Sequence, residues 1–168
     1  MQLATAIRRN RATHKRIVCA TVVAESSAQV TPSGSLDSPD AGYAFWQRVV
    51  ATAHDHDSEK ENLIAVMLNT RLRPICWNIV SIGSVNESIA MPREIFRPAI
   101  AANAFAILLM HNHPSGEPNP SDADTRLTTR ILDSGKMLAI KLIDHLVIGK
   151  PSPGRMPYFS FREAGYIG

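Results

Sequence analysis

The feature that most constrains the fold of this 168-residue chain is a polar loop between an apolar strand and a helix. The short apolar run Phe105–Met110 predicts a strand, and the loop HNHPSGEPNP follows it at residues 111–120. A helix is expected over residues 121–134, with Gly135 as its end, and Met137–Ile148 predicts a further strand. Strand, loop, helix and strand in this order predict a mixed α/β fold.

Two helices and two strands are predicted before that unit. Ser38 and Pro39 are residue types that begin helices, and apolar residues then recur every three or four positions. Pro98 lacks an amide donor, so it predicts a kink near Arg97 in the second of these helices. The predicted elements are a helix over 39–54, two buried strands in hairpin order over 62–69 and 75–82, and a helix over 92–104.

Length and composition predict one globular domain. Apolar residues make up 45% of the chain, which is long enough to bury a core without disulfide bonds. No run reaches the roughly 18 apolar residues of a membrane span, and residues 1–16 lack the apolar stretch of a secretory signal, so we expect a cytoplasmic protein. Residues 25–39 are rich in Ser, Pro and Gly. We therefore expect a flexible arm and linker over 1–38 and a domain over 39–168.

Positive charge is concentrated before the expected domain. Five basic residues precede the first acidic residue, Glu25, whereas residues 25–168 contain 13 basic and 15 acidic residues. A basic arm can neutralise the phosphates of DNA, although such an arm is more often a solvated terminal segment. Weak contact with DNA through this arm is therefore one open alternative. The five basic residues are Arg8, Arg9, Arg11, Lys15 and Arg16.

Two histidines around the end of the predicted strand have the spacing of paired metal ligands. His111 and His113 are two residues apart, and side chains at that spacing in an extended segment lie on the same face. Asp124 follows in the first turn of the next helix, and the Pro and Gly residues between them allow the chain to turn back. Because Cys19 and Cys76 are the only cysteines, a metal ion would need nitrogen and oxygen ligands. Two imidazoles and one carboxylate are the ligand set of a catalytic zinc site, whose fourth position is left to water.

The sequence around these residues resembles a known family. The pattern His-x-His, seven residues, Ser, two residues, Asp is the JAMM signature of the JAB/MPN metalloproteases, and it falls on His111, His113, Ser121 and Asp124. The surrounding sequence is similar to the bacterial RadC-like branch of that family. That branch shares the segments MPREIF, HNHPSG and DHLVIG, at residues 91–96, 111–116 and 144–149. Longer RadC relatives also carry a helix-hairpin-helix region, for which residues 1–38 are too short.

The resemblance implies a fold, a cofactor and two catalytic residues. It implies a JAB/MPN-like curved, mainly antiparallel sheet flanked by helices, with a cytidine-deaminase-like architecture and the metal at the edge of the sheet. It also implies one Zn²⁺ per chain, held by His111, His113 and Asp124, that acts in the hydrolysis of an amide bond in a peptide or protein substrate. Glu61 would be the general base and Ser121 would stabilise the oxyanion.

Ordinary structural roles remain open for several of these polar residues. A carboxylate directly before a buried strand, as at Glu61, is usually a solvated strand end. Ser121 is expected to cap the helix that follows, which does not exclude a catalytic role. His145, beside an aspartate in a late strand, is expected to be a structural group outside the site. His54 and His56 also lie two residues apart, but we expect a solvated polar helix end there.

Three other classes of function compete with hydrolysis of an amide. Zinc deaminases need a Pro-Cys-x-x-Cys ligand pair, which Cys19 and Cys76 cannot supply. A DNA-repair-associated or nucleic-acid-associated domain of RadC type would bind metal without hydrolysis, although aromatic residues are only 6% of the chain. An interaction module that has lost catalysis is the third class. The substrate and the oligomeric state are not specified by any motif.

Overall fold

A computed structural model describes residues 34–83 and 90–168. This part of the chain contains three α-helices, one π-helical turn and five strands. In chain order they are α1 (Pro39–Phe45), the π-helical turn (Trp46–Val50), β1 (Glu61–Leu68), β2 (Pro74–Gly83), α2 (Pro92–Ala101), β3 (Ala106–Asn112), α3 (Asp122–Leu138), β4 (Lys141–Ile148) and β5 (Tyr158–Ser160).

The five strands form one sheet in the order β2-β1-β3-β4-β5. β1 pairs antiparallel with both β2 and β3, and β4 pairs antiparallel with β5. Only β3 and β4 are parallel, which requires a crossover connection, and α3 supplies it. The prediction of an α/β fold with a mainly antiparallel sheet flanked by helices is therefore confirmed.

Apolar side chains from both faces of the sheet are buried. Along β3, Ile107 and Leu109 belong to the core beneath α2 and α3, while Leu108 and Met110 belong to the core beneath α1 and the π-helical turn. This alternation has the period of two expected for a strand covered on both sides. The sheet is thus the middle layer, and β3 lies at its centre with every residue buried.

The first helical segment begins as predicted and ends earlier than predicted. The Ser38 hydroxyl caps it by accepting a hydrogen bond from the backbone N–H of Ala41 at 3.2 Å, and Pro39 occupies the first turn. The prediction that the helix extends to His54 is wrong, because the π-helical turn ends at Val50. There the Thr52 hydroxyl donates to the carbonyl oxygen of Arg48 at 3.0 Å. This hydrogen bond satisfies one of the carbonyl groups that have no intrahelical partner at the C-terminal end of a helix.

The prediction that Gly135 ends α3 is also wrong. The helix continues to Leu138, and Ala139 takes the left-handed conformation, with φ of 55°, that glycine more often adopts at this position. Gly135 instead lies where the chain returns toward β4, and a Cβ atom there would be 2.5 Å from the carbonyl oxygen of Ile140. As a consequence, β4 begins at Lys141 and not at Met137.

Two smaller differences concern α2 and the end of the chain. The predicted kink does not interrupt α2, which passes through Pro98 and ends at Ala101, three residues before the predicted end. Asn103, with φ of 51°, stops its continuation. The short strand β5 was not predicted. Among the described residues, no helix is both long and apolar enough to cross a membrane.

The beginning of the described chain is packed against the domain. Leu36 is buried in the core beneath α1, and its N–H donates to the carbonyl oxygen of Leu72 at 2.8 Å. The basic residues of the predicted arm, all before residue 17, lie outside the described residues.

Candidate metal centre

Three potential metal ligands meet where β3 leads into α3. His111 lies within β3 and His113 follows directly after it, so both imidazoles project from the face of the sheet that α3 covers. Asp124 lies in the first turn of α3. One ligand atom from each of the three residues lies within 4.8 Å of the others. The structure therefore brings together all three ligands predicted from the sequence.

The ligand atoms are spaced for a metal ion. The Nε2 atoms of His111 and His113 are 3.1 Å apart. The Asp124 carboxylate oxygens lie 3.2 Å from Nε2 of His111 and 3.6 Å from Nε2 of His113. A tetrahedral zinc ion with bonds of about 2.0–2.1 Å separates its ligand atoms by about 3.3 Å. The distance from His111 is to Oδ1 of Asp124 and the distance from His113 is to Oδ2. All three spacings are near this value, so the His-His-Asp cluster could hold a metal.

The site is buried except on one side. The His111 side chain is 0% exposed and the Asp124 side chain 4%, whereas the His113 side chain is 15% exposed. The Nδ1 atom of His113 donates to the carbonyl oxygen of Glu117 at 2.8 Å, which leaves its Nε2 atom for a metal. A ligand from solvent would therefore approach from the side of His113.

The electrostatic field of the cluster favours a positive ion. Burial by itself would raise the pKa of Asp124, but hydrogen bonds to His111 and His113 outweigh burial and hold that pKa far below its ordinary value. The hydrogen bond to Asp124 raises the pKa of His113, and the more distant charge of Glu61 raises it further against the effect of burial. Asp124 is thus a carboxylate, with its negative charge facing both imidazoles.

Ser121 caps α3 and also contacts a ligand. Its hydroxyl accepts from the backbone N–H of Asp124 at 3.2 Å, and the Asp124 carboxylate accepts from the backbone N–H of Ser121 at 2.7 Å. These two bonds form a capping box. The same hydroxyl donates to Oδ2 of Asp124 at 2.6 Å. The predicted cap is therefore present, and it places the hydroxyl directly beside the candidate metal site.

Glu61 lies at the start of β1, beside the end of β3. The antiparallel register places Leu63 opposite His111, so a position two residues earlier lies on the same face, alongside His113. The half-buried Glu61 is close enough for its charge to act on His113, after the larger effect of Asp124. Glu61 is therefore adjacent to the cluster without being one of the three ligands.

His145 contacts the site, contrary to the expectation that it lies outside. Its Nε2 atom is 2.9 Å from Nδ1 of His111, and its Nδ1 atom is 2.7 Å from the hydroxyl of Thr128. Burial lowers the pKa of His145 well below its ordinary value, so the ring is neutral. The expectation was wrong because this contact depends on the pairing of β3 with β4, in which Leu109 faces His145.

The other histidine pair does not form a site. His54 is exposed and bonds Asp55, and the half-buried His56 packs edge-on against Trp46. Burial lowers the pKa of His56. Within the described residues, neither belongs to a group of three potential metal ligands. Cys76 is a free, exposed cysteine on β2.

Several bacterial and archaeal proteins are similar to this chain. A UPF0758 protein of Caldanaerobacter subterraneus is 46% identical over 107 residues, which cover 64% of this chain and 44% of that protein. A UPF0758 protein of Thermotoga maritima is 38% identical over 132 residues, which cover 79% of this chain and 54% of that protein. The UPF0758 protein of Methanococcoides burtonii is 42% identical, over 65% of this chain and 45% of its own length. The chain thus spans about half the length of these relatives, whose name states no activity.

A family comparison covers most of the described domain. The sequence model of the RadC-like JAB domain matches residues 36–166. This range includes β1, β3 and α3, which carry the candidate metal ligands and the neighbouring Glu61 and Ser121. The chain therefore belongs to the RadC-like JAB domain family.

Proposed function

We propose that this domain is a zinc-dependent hydrolase that cleaves a peptide, isopeptide or related amide bond. The observation that supports this proposal most is the convergence of His111, His113 and Asp124, whose ligand atoms lie close enough together to share one metal ion. Three protein ligands and an open side are typical of a catalytic zinc site, whereas structural sites use four protein ligands. A bound Zn²⁺ would lower the pKa of water and polarise the carbonyl group of a substrate.

Two residues beside the His-His-Asp cluster would supply a general base and a hydrogen-bond donor for the hydrolysis. Glu61 would take the proton from the attacking water and pass it to the leaving amine, which requires a carboxylate beside the ligands and outside the ligand set. The Ser121 hydroxyl would donate a hydrogen bond to the oxyanion. Rotation about its Cβ–Oγ bond would redirect the hydroxyl proton away from Asp124, while the oxygen continues to cap α3.

The ligand set is tested by elemental analysis of the purified protein. We expect about one zinc ion per chain, in line with a single site of three protein ligands. His113→Ala should lose the metal because one of the three nitrogen or oxygen ligands is gone. His54→Ala is the matched control, since His54 is fully exposed and is not a member of the cluster. Full zinc occupancy in His113→Ala would remove His113 from the ligand set.

The role of Glu61 is tested with a panel of peptide and isopeptide substrates. Glu61→Gln keeps the size of the side chain and removes the base, so it should retain zinc and lose about 10²-fold to 10⁴-fold in turnover. Glu59→Gln removes an exposed carboxylate two residues away and should turn over substrate as the wild type does. Equal turnover by Glu61→Gln and the wild type would refute the mechanism.

A second candidate function is binding of nucleic acid without hydrolysis. The observation that favours it is the concentration of five basic residues before Glu25. Zinc-loaded protein that binds DNA and cleaves no member of the substrate panel would support this function over hydrolysis.

A further inference from the structure

A continuous line of hydrogen bonds runs behind the candidate metal site. Nδ1 of His111 is 2.9 Å from Nε2 of His145, and Nδ1 of His145 is 2.7 Å from the Thr128 hydroxyl. The Thr128 hydroxyl is in turn 2.7 Å from the main-chain carbonyl oxygen of Asp124. All four residues are buried. The line therefore joins two metal ligands, His111 and Asp124, through groups that water does not reach.

The direction of every hydrogen bond in this line follows from its last acceptor. A carbonyl oxygen can only accept, so the single proton of the Thr128 hydroxyl points to Asp124. The hydroxyl oxygen must then accept from Nδ1 of His145, and with one proton on that ring its Nε2 atom is bare. This bare nitrogen can only accept, so Nδ1 of His111 carries a proton. Nε2 of His111, the atom that faces His113 and Asp124, is thus the ring nitrogen that is available to a metal ion.

The ring of His145 is held by the segment that follows β5. Phe161 stacks on it with ring centroids 5.0 Å apart and an angle of 9° between the planes. The Asp144 carboxylate accepts from the backbone N–H of His145 at 2.7 Å and from that of Arg162 at 3.0 Å. Phe161 therefore packs against the plane of the imidazole, and Asp144 ties the backbone of His145 to the segment that follows β5. Both contacts help to hold Nε2 of His145, the acceptor that faces His111, in place.

We propose that Thr128 and His145 are positioning residues that keep the proton of His111 on Nδ1 and so reserve its Nε2 for the metal ion. This inference rests on the proposed metal site and adds to it the groups that select the tautomer of one ligand. Hydrogen bonds to a metal ligand from residues that do not themselves bind the metal typically change metal affinity by about 10-fold to 100-fold.

The first experiment compares two neighbouring threonines. Thr128→Val keeps the shape of the side chain and removes the hydroxyl that accepts from Nδ1 of His145, so we expect zinc affinity to fall by about 10-fold or more. Thr129→Val is the matched control, because the exposed Thr129 hydroxyl bonds only to Thr125 within α3. Zinc affinity is measured by competition with a chelator. Equal affinities in the two variants would overturn the inference.

The second experiment separates positioning from packing at His145. His145→Phe preserves an aromatic ring against Phe161 but offers no acceptor to His111, whereas the amide of His145→Gln can accept from His111 and donate to Thr128. We expect weaker zinc binding in the Phe variant and partial recovery in the Gln variant, with thermal unfolding confirming that both are folded. Zinc affinity equal to that of the wild type in the folded Phe variant would indicate a packing role and overturn the inference, as would a folded Gln variant that binds zinc no better than the Phe variant.

A third measurement needs no metal. Nitrogen-15 spectra of the imidazoles in the metal-free wild type should show a proton on Nδ1 of both His111 and His145, and no proton on Nε2 of His145. The Nε2–H tautomer at either residue would overturn the inference. This result is independent of zinc binding, so a wild type that binds no zinc would reject the proposed function while the tautomers still decide the inference.

Discussion

At the scale of single residues, the Ser121 hydroxyl has one observed role, capping, and one proposed role, stabilising an oxyanion. The oxygen caps α3 by accepting from the backbone N–H of Asp124, and the proton points to the Asp124 carboxylate. Capping needs only the lone pair, whereas stabilising an oxyanion needs only the proton. The two roles can therefore be separated by comparing Ser121 with a serine that caps and does nothing else.

Ser121→Ala is expected to lose about 1 kcal/mol of stability and about a hundredfold or more in turnover, with zinc retained. Ser38 is the matched comparison, since its hydroxyl caps α1 and it is not part of the candidate metal centre. Ser38→Ala should lose a similar amount of stability and none of the turnover. Denaturant unfolding and steady-state kinetics measure the two effects. Full turnover by Ser121→Ala would leave Ser121 with capping alone.

The residues of the site differ in how far the sequence could predict them. His111, His113 and Asp124 are within fourteen positions of one another, and strand and helix geometry almost determine their convergence. His145 is separated from His111 by 34 positions. Its contact follows from the parallel register of β3 and β4, which no local pattern specifies. The sequence offered one hint: both histidines lie in predicted strands, and buried side chains on paired strands can meet.

At the scale of elements, the ends of helices were harder to predict than their existence. Gly135 has the residue type of a helix end, yet the close approach of the Ile140 carbonyl requires a glycine at that position within α3. Ala139 takes the left-handed conformation instead. The path of the chain after α3 therefore decided where the glycine is needed, because residue preferences alone do not fix the position of a helix end to within a few residues.

Gly135→Ala should destabilise the protein even though alanine favours helices by about 1 kcal/mol over glycine. Its Cβ would be 2.5 Å from the Ile140 carbonyl oxygen, and a main-chain atom cannot move aside cheaply, so we expect a net loss of about 1–3 kcal/mol. Gly42→Ala is the matched helical control. Its Cβ would meet the end of the Leu146 side chain, which can change rotamer, so its loss should be smaller. Urea unfolding compares the two, and a stabilised Gly135→Ala would contradict the reported contact.

At the scale of the whole molecule, the sheet explains why distant segments meet at one site. β1 runs antiparallel to β3, so the start of one strand lies beside the end of the other, and Glu61 comes next to His113. The crossover through α3 then brings Asp124 to the same end of β3. The element order predicted this arrangement only in outline. The strand order across the sheet and the short β5 were needed to place His145 and its supporting contacts.

The uneven distribution of charge along the whole chain leads to a last prediction, which concerns DNA. Residues 25–168 contain 13 basic and 15 acidic residues, so five basic residues near the start account for the net positive charge. If all five contact phosphates, the affinity for duplex DNA should fall with salt, with a log–log slope of about −4 to −5. Replacing them with glutamine should abolish that binding and leave hydrolysis at the candidate metal site unchanged. The five residues are Arg8, Arg9, Arg11, Lys15 and Arg16.

Binding is measured by fluorescence anisotropy of a labelled duplex over a series of salt concentrations, on the full-length chain and on the five-fold glutamine variant. The site itself gives the control, because His113→Ala changes a candidate metal ligand and keeps all five basic residues. It should therefore bind DNA as the wild type does. Equal DNA binding by the wild type and the glutamine variant, or no binding by the wild type at low salt, would remove the support that these charges give to a nucleic-acid function. Residues 25–168 would not replace that binding, because their excess of two negative charges repels a polyanion.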